Sequence, residues 1–180
     1  MKRVSLGVRI AGLALALAAP LRAQQMYPAT EGFRFGLGLG ATMPTGDYGS
    51  LDKMGINILG VFEMPIGGSP LYLRADGLYS STAHEGVSGS TAILGGTASA
   101  LYHFSAPNAQ ARPYVLGGLG IYNYDPGTDS ETKVGFALGG GVTFGLGGLN
   151  AFAEARYISI QTSGSSRTMV PLTFGLMFGY

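Results

Sequence analysis

Bulky apolar residues occupy every second position in the last eleven residues of the chain. Segment 170–180 reads VPLTFGLMFGY, and its intervening positions are small or polar, with Met177 as the one exception. Strict period two gives a strand one apolar face and one face of small or polar side chains. A soluble sheet buries such a face against a second layer, whereas a membrane barrel turns it towards lipid. The other segments of the chain decide between these two arrangements.

Seven further segments alternate in the same way, so the pattern predicts eight strands. In 133–144, for example, Val134, Phe136 and Leu138 alternate with Gly135 and other small residues. In 113–124 both alternations are apolar, which leaves the facing of that strand open. The predicted strands are 33–41, 55–64, 71–79, 91–104, 113–124, 133–144, 149–158 and 170–180.

The connections between these strands alternate in character. Longer polar stretches follow the first, third, fifth and seventh strands, and shorter stretches follow the second, fourth and sixth. Short turns at one end and longer loops at the other are typical of outer-membrane barrels. Backbone groups in lipid must all be paired, so such a sheet has to close on itself. The sequence therefore predicts an all-β fold, an eight-stranded antiparallel transmembrane up-and-down barrel with periplasmic termini.

Glycine is unusually abundant, with 31 of 180 residues, compared with an average near 7%. The glycines lie inside the alternating segments, where they weaken an ordinary strand. A narrow closed barrel needs small inward residues and strongly curved strands, for which glycine is suited. The composition thus favours a narrow barrel.

The first 23 residues are typical of a secretory signal peptide. A basic start precedes an apolar core at 10–19, and Ala23 offers a small residue for cleavage before Gln24. The core is shorter than the roughly 20 residues that a spanning helix needs. We therefore predict a signal peptide at 1–23 and one barrel domain at 24–180.

Removing the signal peptide reverses the sign of the net charge. The signal contains four basic residues and no acidic ones, so seven basic and ten acidic residues remain. A net charge near −3 does not favour a nucleic-acid partner. The chain has no cysteine, which excludes disulfides, thiolate metal sites and a lipidated cysteine.

Aromatic residues fall near both predicted ends of the barrel. Amphipathic rings settle at the two membrane interfaces, so two aromatic girdles are expected. The predicted girdle residues are Phe33, Tyr79, Tyr102, Phe104, Tyr122 and Tyr157.

Four sequence features together resemble a known family. They are FRFGLG at 33–38, the turn PTGDY at 44–48, RPY at 112–114 leading into GGLG, and the aromatic carboxy-terminus. Over residues 32–180 the chain resembles the small eight-stranded OmpA/OmpX-like outer-membrane barrels of Gram-negative bacteria. The resemblance implies a location in the outer membrane of a Gram-negative-type bacterium. It also implies a monomeric, non-enzymatic protein without cofactor or metal, which supports envelope structure or presents surface loops and forms at most a narrow pore.

The resemblance also implies partners. These are outer-membrane lipid and lipopolysaccharide, together with the insertion machinery and periplasmic chaperones during biogenesis. In that family, an alternating last strand with an aromatic end is similar to the signal that the insertion machinery reads. The residues that would form this insertion signal are Leu172, Phe174, Leu176, Phe178 and Tyr180.

Six charged residues fall on the predicted inward faces, three of each sign. Isolated charges inside a protein are costly, so these should pair. The third and seventh strands of an eight-stranded barrel lie opposite each other across a lumen only wide enough for side chains. The charges could form a static polar core, or a salt-bridge plug that blocks or gates a water path. They are Arg34, Glu63, Arg74, Asp76, Glu154 and Arg156.

Two other functions stay open at this point. A soluble, exported lipocalin-like barrel would carry an apolar ligand, but it would hide its apolar face inside. An outer-membrane enzyme, a hydrolase or acyltransferase, would use His84 or Glu85 with a nearby serine such as Ser80, Ser81 or Ser88. His103 is predicted at the opposite end of the barrel, so it cannot complete such a site, and a solvated loop is the favoured interpretation.

Two weaker patterns also favour their simpler interpretations. The glycine runs lack the spacing of a nucleotide-binding loop. The acidic loop with Asp125, Asp129 and Glu131 lacks the spacing of an EF-hand, which favours a hydrated loop over a divalent-cation site.

Overall fold

The alternating segments form one closed antiparallel barrel in which each strand pairs with the next and the last pairs with the first. The predicted all-β fold, an eight-stranded antiparallel barrel, is confirmed. The computed structural model describes residues 32–50, 52–86, 88–104, 111–125, 130–146, 149–162 and 165–179. The strands are β1 (Arg34–Thr45), β2 (Gly55–Pro65), β3 (Leu71–Ala83), β4 (Ser90–His103), β5 (Ala111–Asp125), β6 (Glu131–Leu146), β7 (Leu149–Thr162) and β8 (Ser165–Gly179). The predicted signal peptide lies outside the described residues. Among those residues, no helix has the length and apolar character to cross a membrane.

The register of the strands fixes how narrow the barrel is. A path that starts at Arg34 and crosses each strand through paired residues returns to β1 at Pro44, ten residues further along. This offset across eight strands corresponds to a strand tilt of about 40°. Such a barrel has room inside for side chains only. The path runs through Glu63, Arg74, Ser99, Gly118, Ala137, Ile158 and Met169.

Apolar side chains cover the outer surface, and the polar positions of the alternation point inward. Phe35, Leu37 and Leu39 on β1 are between 57% and 65% exposed. On β5, whose facing the sequence left open, Leu119 points outward and Tyr114 is buried inside. A soluble carrier barrel would have the reverse arrangement. The lipocalin-like alternative is therefore wrong.

Inward glycines make room for the large rings that fill the lumen. A Cβ atom on Gly95 would lie 2.2 Å from the Tyr122 ring, and one on Gly175 would lie 2.4 Å from the Phe152 ring. Both rings are buried. Because pairing on both sides holds each strand in place, the backbone cannot move away from a larger side chain. The size of the lumen thus accounts for much of the glycine content.

At one end of the barrel the strands run past their apolar stretches. We call this the loop end, and the opposite end, where β2 ends and β3 begins, the turn end. β3 continues to Ala83 and β7 to Thr162, so parts of the predicted loops belong to strands. Inward polar side chains such as Thr82 are hydrogen-bonded there, which lets the backbone ladder continue above the apolar band.

The predicted turn at 44–48 is wrong in its first two residues. Pro44 and Thr45 complete β1, where they pair with Met169 and Thr168 of β8. The chain then turns through a 3₁₀ helix at Gly46–Ser50. Here Gly46 has a φ of 62°, a left-handed conformation that favours glycine.

The prediction that Tyr122 belongs to an aromatic girdle is wrong. Tyr122 is fully buried in the lumen, with its hydroxyl 2.9 Å from Thr97 Oγ1. The error arises because both alternations of β5 are apolar. The other five predicted girdle residues, Phe33, Tyr79, Tyr102, Phe104 and Tyr157, lie on the outer surface.

We predict that Gly95→Ala lowers the free energy of unfolding by about 1–3 kcal/mol, because the new methyl group overpacks the Tyr122 ring. Gly77→Ala is the matched control, since its Cβ would meet nothing within 4 Å; we expect a change within about 0.5 kcal/mol. Equilibrium urea unfolding in detergent micelles measures both. Equal stability of the two variants would contradict the close packing of Tyr122.

Candidate functional site

The six predicted inward charges all lie inside the barrel, and they form one continuous chain of contacts. The first part follows the register of the sheet, because Arg34, Glu63 and Arg74 stand directly opposite one another on β1, β2 and β3. Arg34 Nη2 lies 2.9 Å from Glu63 Oε2. Arg74 Nε donates a hydrogen bond of 2.9 Å to Glu63 Oε1. Glu63 thus joins two guanidinium groups.

The second part crosses the lumen. Arg74 Nη1 donates to Glu154 Oε2 of β7, and Arg156 Nε donates to Glu154 Oε1. Arg156 Nη1 returns to β3, with a hydrogen bond of 2.7 Å to Asp76 Oδ1. Two ion pairs therefore connect β3 and β7, which are not neighbours in the sheet.

Burial makes this pairing necessary. Each of the six residues is at most 8% exposed. Buried charges without partners carry a large desolvation penalty, which good geometry and balanced charge offset. Three guanidinium groups and three carboxylates give the set no net charge. We call these six residues the charge network.

Two residues that the sequence pattern did not assign to the network complete it. The Tyr114 hydroxyl donates a hydrogen bond of 2.6 Å to Glu154 Oε2. His103 Nε2 lies 3.1 Å from Arg34 Nη2. His103 is on the inward face of β4 at the turn end, where Arg34 also lies, so the alternation along β4 could have indicated their contact. The contact of Tyr114 could not be indicated in this way, because the facing of β5 was open.

Apolar side chains fill the lumen above the charge network. Leu59 and Leu78 are paired across β2 and β3, four residues closer to the loop end than Glu63 and Arg74. They belong to a continuous buried cluster. The cluster fills much of the lumen above these charges, beside a buried row of hydrogen-bonded polar side chains formed by Thr173, Asn57, Thr42 and Ser80. The cluster's other inward apolar members towards the loop end include Ile93, Ile158, Ile160 and Met169, whereas Val61 and Phe152 lie beside the network.

A lid closes the loop end of the lumen. We use this name for the 3₁₀ turn Gly46–Ser50, which carries the buried ring of Tyr48. This ring packs edge-on against Tyr124, with centroids 6.5 Å apart. The guanidinium of Arg167 lies 3.8 Å from the centre of the Tyr124 ring and 5.9 Å from that of Tyr48. The lid thus contacts side chains from β5 and β8.

A hydrogen-bonded pair fastens the lid to β3. Thr82 Oγ1 donates to Asp52 Oδ2 at 2.7 Å, and the Tyr48 hydroxyl lies 2.8 Å from the same Thr82 oxygen. Because the Thr82 hydroxyl uses its one hydrogen in the bond to Asp52, the Tyr48 hydroxyl is the donor of the second bond. Burial raises the pKa of the Tyr48 hydroxyl above its ordinary value, which keeps it in this donor form.

The geometry around His84 does not form a nucleophile, base and acid in series. Nε2 of His84 lies 3.1 Å from Thr91 Oγ1 and 3.7 Å from Asp52 Oδ1, so both groups lie near the same ring nitrogen. A catalytic triad needs the nucleophile and the acid on different nitrogens. His103 lies at the turn end, as predicted, and is separated from His84 by the length of β4.

The structure describes only part of the other predicted sites. In the described part of the chain, no group of three His, Cys, Asp or Glu side chains is placed to hold a metal ion. Asp129 of the acidic loop and Tyr180 of the insertion signal lie outside the described residues. The remaining signal residues, Leu172, Phe174, Leu176 and Phe178, point outward on β8, and their role in insertion stays a prediction.

Comparisons with known proteins agree with this architecture. None of the curated proteins matches the chain. The crystal structure of Neisserial surface protein A is 19% identical, with a TM-score of 0.66, and the match covers 83% of this chain and 97% of that one. The attachment invasion locus protein Ail of Yersinia pestis is 18% identical, with a TM-score of 0.53 and coverage of 83% and 100%.

An enzyme is also among the similar structures. The outer membrane enzyme PagL is 14% identical, with a TM-score of 0.52 and coverage of 82% and 99%. At these identities all three structures share only their fold with this chain. The sequence profile of the family described as "Outer membrane protein beta-barrel domain" matches residues 11–180. The chain therefore belongs to this family of outer-membrane β-barrel proteins.

Proposed function

We propose that this protein is a non-enzymatic component of the outer membrane that supports envelope structure or presents its loops at the cell surface. The filled lumen carries this proposal. The charge network, the apolar cluster around Leu59 and Leu78, and the lid succeed one another from the turn end to the loop end. Side chains thus occupy the space that a solute would need.

The outer surface supports direct contact with lipid. Exposed apolar side chains cover it on every strand, as a lipid-facing band requires. Outer-membrane lipid and lipopolysaccharide are the partners that fit this surface, and one chain closes the barrel without a second copy. Insertion machinery and periplasmic chaperones would act on the chain before it folds.

One observation favours a second candidate, a gated narrow pore. Glu154 pairs with Arg74 across the lumen and with Arg156 on its own strand, and an exchange between these two partners could open a water path beside the network. In this proposal, however, the apolar cluster above the network keeps the lumen closed even when one ion pair is lost.

We predict no conductance steps in planar lipid bilayers for the wild type or for Glu154→Ala, since Leu59, Leu78 and Ile93 still fill the centre of the lumen. Glu85→Ala, which removes an exposed carboxylate, is the matched control. Steps in the wild type would contradict closure, and steps only in Glu154→Ala would favour the gate. Lipid hydrolysis by the same samples, abolished by His84→Ala, would favour an enzyme.

A second prediction concerns the loops. An epitope inserted after Gly86, in the β3–β4 connection, should be accessible to antibody on intact cells. The same epitope inserted between Gly67 and Gly68, in the β2–β3 turn, should be accessible only after the outer membrane is permeabilised. Both variants should keep the heat-modifiable migration of a folded barrel. Surface labelling of the turn-end epitope alone would reverse the proposed orientation.

A further inference from the structure

Two loop-end segments meet at an isolated pair of residues. Asp52, in the connection that follows the lid, forms a single antiparallel bridge with His84, which follows β3. Next to it, the Lys53 amide donates a hydrogen bond of 2.8 Å to the Ala83 carbonyl. The contact therefore ties the lid connection to the β3–β4 connection.

The two side chains of this bridge differ in their access to solvent. The Asp52 side chain is 2% exposed, and the His84 side chain is 22% exposed. Asp52 Oδ2 accepts a hydrogen bond from the Thr82 hydroxyl, a neutral donor. The His84 imidazole is therefore in contact with solvent, while its Nε2 lies 3.7 Å from an oxygen of the buried Asp52 carboxylate.

The other groups near His84 are neutral or paired with each other, so Asp52 is the group that attracts a protonated His84 imidazole. Thr91 of β4 is neutral, and its hydroxyl can accept from protonated Nε2 as readily as it can donate to neutral Nε2. Lys53 and Glu85 pair with each other at 3.5 Å, and both are more than half exposed. Tyr48 stays neutral under the lid.

We propose that His84 and Asp52 form an acid-strengthened latch that holds the lid closed. The closed lid places the protonated imidazole against Asp52, whereas an open lid separates them. Closure is therefore favoured as the pH falls through the range in which histidine is protonated, and this gain is lost as the pH rises through it. The latch would make access to the upper lumen depend on the pH outside the cell.

A cysteine beneath the lid tests this proposal. The natural chain has no cysteine, and Ser80 is a buried residue two positions below Thr82 on the inward face of β3. The rate at which a neutral, water-soluble maleimide modifies Ser80→Cys is measured at pH 5.5 and pH 8 in detergent micelles. Each rate is divided by that of Asn123→Cys, a loop-end residue, at the same pH.

The normalised rate should be on the order of five to ten times slower at pH 5.5 than at pH 8. Adding His84→Gln or Asp52→Asn should abolish this difference. A direct electrostatic effect of protonated His84 on the thiol would accelerate the reaction in acid, so it cannot produce the expected result. The latch would be overturned if the His84→Gln variant kept the full difference in rate between pH 5.5 and pH 8. It would also be overturned if the rates at the two pH values were equal both with and without this substitution.

Hydrogen exchange gives a second readout without the cysteine. The Lys53 amide, which bonds to Ala83 across the latch, should have a larger protection factor at pH 5.5 than at pH 8 once the chemical exchange rate is corrected. His84→Gln should remove the change. Protection that is independent of pH in the natural chain would also refute the proposal.

Discussion

An eight-stranded barrel with an offset of ten residues leaves inside it only the space of its own side chains, and this constraint shapes the rest of the structure. Large inward rings such as Tyr122 and Phe152 require glycine on the neighbouring strands. Charged side chains in the same space cannot reach bulk water, so they must neutralise one another. The glycine content and the charge network are thus two consequences of one narrow lumen.

The charge network adds a connection that the sheet itself lacks. Backbone hydrogen bonds join only neighbouring strands, whereas Arg74–Glu154 and Arg156–Asp76 connect opposite walls of the barrel. Removing one member of a buried ion pair typically costs about 3–5 kcal/mol, because its partner stays buried. The network also opposes a shift in register: a slip by one residue would turn Arg74 and Asp76 towards lipid. The ion pairs therefore specify the register as well as fill the lumen.

The outline of the barrel could be predicted because a period of two needs no knowledge of the partner strand. The alternation on β1 and β6 assigned their inward and outward faces, and the inward charges on β3 and β7 followed from the same rule. On β5 the period of two did not assign the faces, since both alternations are apolar. The inward positions of Tyr114 and Tyr122 therefore could not be predicted. Only the pairing of β5 with its neighbours settles that choice.

Contacts that depend on the register of the closed barrel could not be predicted from the sequence. The lid is one case, because Tyr48 belongs to a turn whose inward fold depends on Thr82, Tyr124 and Arg167 from three other strands. The latch between Asp52 and His84 is another, since their connections show no shared pattern. The strand ends were also predicted too short, because polar inward residues extend the ladder above the apolar band.

The central claim is that ion pairs across the lumen bind β3 to β7. A double-mutant cycle with Asp76→Asn and Arg156→Met, followed by urea unfolding in detergent micelles, measures this directly. We predict a coupling free energy of about 2 kcal/mol between the two positions, since either single change leaves a buried charge that the double change removes. A coupling within about 0.3 kcal/mol of zero would show that the two side chains act independently, and it would contradict the claim.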